Sequence, residues 1–587
     1  MNRKQRRATQ KQQQPAGLGP TSTSDSVAEM YARAQQHVAR REFSAAAHLY
    51  KKILALKPGQ VAAHDGLGCV YFSQGKMADA SRQFAQVAVL APQILDQFIK
   101  VLETLILLIP ALGDAIKKAS NAWPTILPPE GLLGPAGIAA IAGNIYLRTV
   151  LESTIARDID FERLLTSLRA SIAAAAAADP PHGGDDPDFL GFCSALAQQC
   201  FINEYVFATS AQELADVERI KALLADAVAR GLPVHPLRPI ALAMYVALYE
   251  MPEMQALAER AWPAPVEAVV TQQLREPNEE RRLRALIPRL TPIGDGVTAQ
   301  VRQQYEENPY PRWVRLADAP RPILLDDHIR HQFPSTPFRQ IGEHDRLDIL
   351  VAGCGTGRHA LELAQSYRGA HVLAVDLSLA SLASAKRRTP PALADRVEFA
   401  QADIFSLASI GRSFDLINVG GVLHHTADPL GAWRELIKLM KPNGLMQVGL
   451  YSAHARRDII AARAAIAAQG YRSTPDDIRR CRPDLLSTGK KFDYMRLNDF
   501  FSVSECRDLL FHVHEQQVTI PEIKSFIAQN GLQFIGFEFF PQDIHVRYRQ
   551  LFASAGWSTG DLGRWDAVER ENPDLFAAMY IFWVQKN

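Results

Sequence analysis

Cysteine is sparse: six residues in 587 (Cys69, Cys193, Cys200, Cys354, Cys481 and Cys506), with no CxxC pair and no spacing of a zinc site. A disulfide scaffold and a zinc motif are thereby excluded, and reduced thiols are expected. An excess of one charge is also missing. The 64 Lys and Arg balance 63 Asp and Glu to a net +1, so the overall field demands neither nucleic acid nor an anionic membrane. No apolar run reaches the about 20 residues of a membrane span. Residues 101–113 are broken by Glu103 and Pro110, and residues 131–147 hold Pro135 and four glycines. The N-terminus carries Arg3, Lys4, Arg6, Arg7 and Lys11 without the apolar stretch of an export signal. Gln, Ser and Thr continue to residue 26, so residues 1–26 read as a disordered basic leader. A soluble, cytoplasmic chain is expected, with no membrane and with nucleic acid not indicated.

A length of 587 residues suggests about three units. An internal repeat opens the ordered part. Leu67, Gly68, Tyr71, Ala80, Phe84 and Pro92 follow the 34-residue tetratricopeptide pattern, in which small residues let two helices approach and aromatic residues fill the gap. One period earlier, Ala34, His37, Ala46, Tyr50 and Pro58 repeat it more weakly. The resemblance implies two tetratricopeptide repeats over 27–92 and a protein partner bound through them. Two repeats are fewer than a solenoid core needs, so the helical region 93–270 must complete it. Apolar spacing there predicts helices over 159–168 and 212–229, the second behind Ser210. Residues 271–300 are densely charged and then rich in turn formers, which predicts a linker.

From 301 to 587 short apolar runs alternate with helical stretches. Residues 347–352, 371–375, 397–400, 414–419 and 445–450 read as buried parallel strands, which predicts an α/β, doubly wound domain. Residues 532–539 and 578–584 would add a sixth strand and an antiparallel seventh. An oversized insertion, about 451–530, lies between the fifth and sixth strands and is the expected seat of acceptor specificity.

The first strand opens into Gly353-Cys354-Gly355-Thr356-Gly357-Arg358. Glycines at a strand-to-helix turn permit unusual backbone angles and let a ligand approach amide groups. The next strand ends in Asp376, nineteen residues after Gly357, where a carboxylate can accept both ribose hydroxyls of a nucleoside cofactor. Dinucleotide folds use GxGxxG, whereas Arg358 stands here at the place of the last glycine. Residues 340–450 resemble the core of a class I S-adenosylmethionine-dependent methyltransferase, and the whole chain resembles bacterial tetratricopeptide methyltransferases of unassigned substrate. The resemblance implies a seven-stranded Rossmann-like fold with S-adenosyl-L-methionine as cofactor. It implies that Gly353, Gly355 and Gly357 face the methionine part, Asp376 the ribose, Leu377 the adenine ring, Asp403 the adenine amino group, and that Ile404 lies beside the ring. Many relatives carry an acid two places before the first glycine, where this chain has Val351.

Residues 418–429 resemble the loop beneath the transferring methyl, and Lys441-Pro442-Asn443-Gly444 the turn before the fifth strand. Methyl transfer is an in-line displacement that needs alignment first. Should the acceptor have to lose a proton, His424 or His425 could take it, with Tyr451 orienting. Tyr305, Asn308, Tyr310, Arg312 and Trp313 form a segment dense in binding-type side chains, either a lid over the cofactor cleft or a linker pinned by its aromatics. Its convergence with His424, His425 and Tyr451 above strands four and five is the expected acceptor pocket. Arg456, Arg457, Arg463, Arg472, Arg479, Arg480 and Arg482 read as a solvated helix face rather than an anion site. His512 and His514, beside the polar run 504–508, read as surface histidines, and no metal site is expected. The rival reading of the chain is a tetratricopeptide scaffold whose methyltransferase-like domain does no chemistry.

Overall fold

The computed structural model describes residues 26–91, 106, 109–182, 186–316, 321–342, 345–487, 499–539, 542–576 and 579–587. The leader up to residue 25, Pro92 and Ala578 lie outside them. The chain divides into two compact units, 1–101 and 102–587. Among the described residues, no helix is long and apolar enough to cross a membrane, and all six cysteines are free thiols.

Among the described residues, the first unit contains four helices, Val27–Ala39, Phe43–Leu56, Val61–Ser73 and Met77–Leu90. Ser26 starts the first, its side chain accepting from Glu29 N while Glu29 returns the bond to Ser26 N. The predicted small-and-aromatic pattern is its core. A Cβ on Gly66 would stand 2.4 Å from the Tyr50 ring, and one on Gly68 would stand 3.0 Å from that of Phe84. Ala34, Ala46, Tyr50, Leu67, Tyr71, Ala80 and Phe84 are buried.

In the second unit, helix Ile159–Ala177 is capped by Asp158 and helix Ala211–Ala229 by Ser210, which forms a reciprocal capping box with Glu213. Glu213 joins the two helices, because the fully buried Arg169 donates to it at 2.8 Å. The stretch expected as a linker is helical over Glu276–Arg284. Its charges are not free: Glu276 and Glu280 pair with Arg387. Leu290 N then donates to Gln401 O, and Gln401 N to Pro288 O, so the chain joins the sheet before residue 300.

Seven strands form one sheet: β1 Leu347–Ala352, β2 Ala370–Asp376, β3 Val397–Gln401, β4 Phe414–Val419, β5 Met440–Leu450, β6 Leu532–Glu538 and β7 Tyr580–Lys586. Their order is β3-β2-β1-β4-β5-β7-β6. β7 is antiparallel to both β5 and β6, and the others pair in parallel. β1, β2 and β4 are buried almost end to end, as strands covered on both faces must be. β5 begins earlier than expected, with Asn443 at φ +60° absorbing the expected turn inside an irregular stretch of the ladder. At the amino ends of β1 and β4, Lys441 bridges Asp348 and Asp415, each at 2.8 Å. This cluster lies at the end of the sheet opposite the glycine turn.

Ligands in such sheets bind outside the carboxyl ends of the strands, where the order reverses. Here that point lies between β1 and β4, and the insertion approaches it with helix Val503–Leu510, beside helices Arg457–Ala468 and Pro475–Ser487, while its last helix, Ile520–Gln529, packs on the face of the sheet. The helical region holds the insertion firmly. Arg482 and Glu162 form two buried hydrogen bonds of 3.0 and 2.9 Å, and Glu204 receives Arg312, Asn308 and Ser504 N.

Candidate functional site

β1 ends against a turn in which Gly353, Gly355 and Gly357 have φ of +78°, +51° and +83°, the left-handed region that favours glycine. Space demands glycine as well. A Cβ on Gly355 would lie 2.3 Å from Tyr310 O, and one on Gly353 would lie 2.4 Å from Val422. The segment from Tyr305 to Trp313 therefore lies directly on the glycine turn. Thr356 N donates to Tyr310 O, and Trp313 Nε1 donates to Thr356 Oγ1 at 3.0 Å. Ser378 Oγ donates to Tyr305 O, and Leu379 N to Glu306.

Asp376 closes β2. Its Oδ2 accepts from Gly355 N at 2.8 Å and its Oδ1 from Ser378 N at 2.9 Å. Burial pushes its carboxyl up to about 6, against the pull of those N–H groups. A carboxylate offers about four lone-pair positions, so two remain for the vicinal hydroxyls of a ribose. The site thus fits a nucleoside at the end of β2. Leu377 follows, its carbonyl accepting from Gln401 Nε2.

Asp403, after β3, accepts one backbone N–H on each oxygen and, like Asp376, keeps two lone-pair positions. Its Oδ1 accepts from Phe405 N and its Oδ2 from Gly294 N, each at 3.0 Å, while its own N–H donates to Thr291 Oγ1. No local pattern marks residues 291–294 as partners of this carboxylate, 109 residues on from Gly294. Ile404 is buried in the core beside Leu407. Val351, in place of an acid, packs in the core under β1.

Over β4 and β5 the three expected elements converge. His424 stacks on Tyr451 with ring centroids 3.6 Å apart, and His425 meets the same tyrosine edge-on at 5.8 Å. His425 also stacks on His512 at 3.6 Å. The Tyr305 hydroxyl donates to Asp508 Oδ1 at 2.6 Å and lies 3.2 Å from His512 Nε2. Arg456 lies over the Tyr451 ring at 3.7 Å and pairs with the buried Glu515. Burial drives the imidazoles of His424 and His512 well below their ordinary range, and His425 below it as well, so all three are neutral near pH 7.

Two expectations fail here, the second in part. His512 is only 3% exposed, and helix Val503–Leu510 is buried along its whole length, so 504–512 is interior rather than surface. Its polar side chains are buried because each meets a partner: Glu505 pairs with Arg157, Arg507 with Glu307, and Asp508 with Tyr305. The seven arginines of the insertion are a solvated face only in part: Arg457, Arg472 and Arg480 are exposed, and the other four are not. Arg456 and Arg482 are buried ion-pair partners, Arg463 joins Arg456 on Glu515, and Arg479 donates to Glu204 O and Tyr205 O. Arg472 and Arg480 are spent on Asp477, and Arg457 on His454 O. Sequence spacing missed the buried pairs because Arg157, Glu162, Glu204, Tyr305 and Glu515 lie tens to hundreds of residues from their partners.

Residues 350–448 match the model of a family described as "Methyltransferase domain". Among curated proteins, the chain is 30% identical over 262 residues to an uncharacterized protein of Synechococcus sp., covering 41% of this chain and 60% of that one. It is 36% identical over 104 residues to a demethylmenaquinone methyltransferase of Clavibacter sepedonicus, covering 18% of this chain and 41% of that protein. It is 33% identical over 143 residues to a trans-aconitate 2-methyltransferase of Deinococcus radiodurans, covering 23% and 53%. The chain thus spans between about two fifths and three fifths of these relatives' lengths. The matched segment is a methyltransferase domain, and its cofactor is S-adenosylmethionine.

Proposed function

We propose that the whole chain is an S-adenosylmethionine-dependent methyltransferase whose acceptor binds above the carboxyl ends of β4 and β5. The convergence of the His424–His425 turn, Tyr451 and Tyr305 beside the glycine turn carries this reading, because three segments far apart in sequence meet where a methyl group would be presented. In it, Gly353, Gly355 and Gly357 line the methionine part and Asp376 holds the ribose. Leu377 and Ile404 flank the adenine ring. Asp403, held by Gly294 and Phe405, receives the adenine amino group on a remaining lone pair. The bound cofactor supplies an electrophilic methyl group. The protein aligns the acceptor and excludes water, which the Tyr305 to Trp313 segment favours by lying over the turn. His425 and His424 are the candidate catalytic groups, with Tyr451 orienting them.

Residues 27–91 read as two tetratricopeptide repeats that recruit a protein partner or the acceptor. The close approaches at Gly66 and Gly68 support this, since they are what the repeat's small positions provide. Incubating the full chain with methyl-labelled donor in a cell lysate, then sorting label into protein, RNA, lipid and metabolite fractions, tests the activity. Label should enter one fraction and vanish with Asp376→Ala. Label in no fraction, or label indifferent to Asp376, would refute it.

A further inference from the structure

The ring nitrogens around His425 have chemically distinct duties. His425 Nδ1 lies 2.9 Å from His514 O, and a carbonyl can only accept, so Nδ1 carries the proton and Nε2 keeps its lone pair. His512 is the reverse. The His514 N–H donates to its Nδ1 at 3.1 Å, so the neutral ring holds its proton on Nε2 and donates it to the Tyr305 oxygen. Tyr305 in turn donates to Asp508. The result is a directed chain, His512 Nε2–H to Tyr305 O–H to the Asp508 carboxylate, which is buried and lies within 4.8 Å of the ligand-capable nitrogens of His425 and His512.

Two histidines and an aspartate this close could also hold a metal ion. The hydrogen bonding opposes it. A metal on His512 Nε2 would need a proton on Nδ1, pointing at the His514 N–H. The face-to-face stacking of the His425 and His512 rings, 19° from parallel, also fails to aim two nitrogens at one point.

We propose that Asp508 is a positioning residue, fixed by Tyr305 and His512, that stabilises the imidazolium of His425, and hence that the acceptor carries a proton on the atom methylated, an O–H or N–H group. This rests on the methyltransferase reading of the site. As the new bond to carbon forms and the carbon–sulfur electrons remain on sulfur, the acceptor's proton passes to His425 Nε2 and later to solvent. His425 alone among the three clustered histidines suits the role. His512 is locked by a backbone donor. His424 is fully buried with both ring nitrogens unpartnered among the described residues, and a proton there would be stranded. The charges facing His425 are Asp508 and Glu515, which favour its protonation, and Arg456, which opposes it; the neighbouring His424 and His512 rings are neutral.

The test is NMR of the full chain with 13C-labelled histidine, which reads tautomer and titration midpoint ring by ring without any acceptor. His425 should be the Nδ1–H tautomer and His512 the Nε2–H tautomer. Asp508→Asn should move the His425 midpoint down by about 1 on the pH scale, the least expected when an opposite charge at this range is lost. Should that variant fail to fold, Tyr305→Phe deletes only the linking hydroxyl and must shift the His512 resonances while His425 keeps its tautomer. An unmoved midpoint in Asp508→Asn, unmoved His512 resonances in Tyr305→Phe, a His512 Nδ1–H tautomer, or stoichiometric binding of added Zn2+ at these rings overturns the proposal. Calorimetry with S-adenosylmethionine separates the two readings: failure of the wild type to bind donor defeats the methyltransferase assignment, whereas intact binding with an unmoved midpoint defeats only the role of Asp508.

Discussion

Replacing Asp376 with asparagine opposes stability to function at one atom pair. Burial raises this carboxyl from 3.8 to about 6, so ionising it costs the folded chain about 3 kcal/mol at neutral pH. A raised carboxyl contributes stability that is fully present below its unfolded value and is lost as pH rises through about 6. Asparagine has no such loss. It also turns one accepting oxygen into a donor facing Gly355 N–H or Ser378 N–H, at a cost of about 1–3 kcal/mol. Above neutrality the two chains should therefore differ by no more than about 2 kcal/mol, because the two effects offset. Cofactor binding has no such offset. A charge-assisted acceptor for two hydroxyls is worth about 1.5–3 kcal/mol, so Kd should rise about ten- to hundredfold. Urea titrations of both chains from pH 5 to 8 should show a wild-type decline in stability that the variant lacks, and calorimetry should show the weaker binding. Parallel stability profiles, or an unchanged Kd, would refute the placement of Asp376 as a half-buried ribose acceptor.

His425→Ala should lower turnover far more than cofactor affinity, by about 10²–10⁴-fold for a lost general base; equal losses in both, together with a lower melting temperature, would mark the histidine as structural. Arg482→Met strands Glu162 in the interior and should cost about 3–5 kcal/mol in denaturant unfolding, whereas a change under 1 kcal/mol would show the pair to be solvated. Deleting residues 1–101 should leave cofactor Kd within about twofold while reducing methylation of the natural acceptor. Deletion through 265 removes Glu162 and Glu204 as well, and a thermal melt should then show loss of the cooperative transition; a fully active product would refute the coupling between helical region and insertion.

The sheet was legible because its strands are short, nearly continuous apolar runs separated by helical stretches, and the predicted ends of β1 and β4 agree with those observed. The glycine turn was legible because only glycine tolerates those backbone angles. Asp376 was legible because its distance from the turn is set by one helix and one strand. Partners across long sequence separations were not. Nothing local marks Gly294 as the donor to Asp403, Glu204 as the hub for Arg312 and Ser504, or Asp508 as the acceptor of Tyr305. The insertion misled in part for the same reason: Arg472 and Arg480 are exposed and pair locally with Asp477, but Arg482 finds Glu162 in the helical region, and Arg456 and Arg463 find Glu515. The charged stretch near 280 looked like a linker because helix Glu276–Arg284 buries none of its residues, so no apolar period announced it.

The most direct test of the account is calorimetric titration of the full-length chain with S-adenosylmethionine and, in parallel, with NADH. The glycine turn, with Arg358 where a dinucleotide site needs its last glycine, and Asp376 with two lone-pair positions to spare predict one molecule of S-adenosylmethionine bound per chain and no measurable NADH binding. Preference for NADH, or no heat with S-adenosylmethionine, would contradict the assignment at its centre.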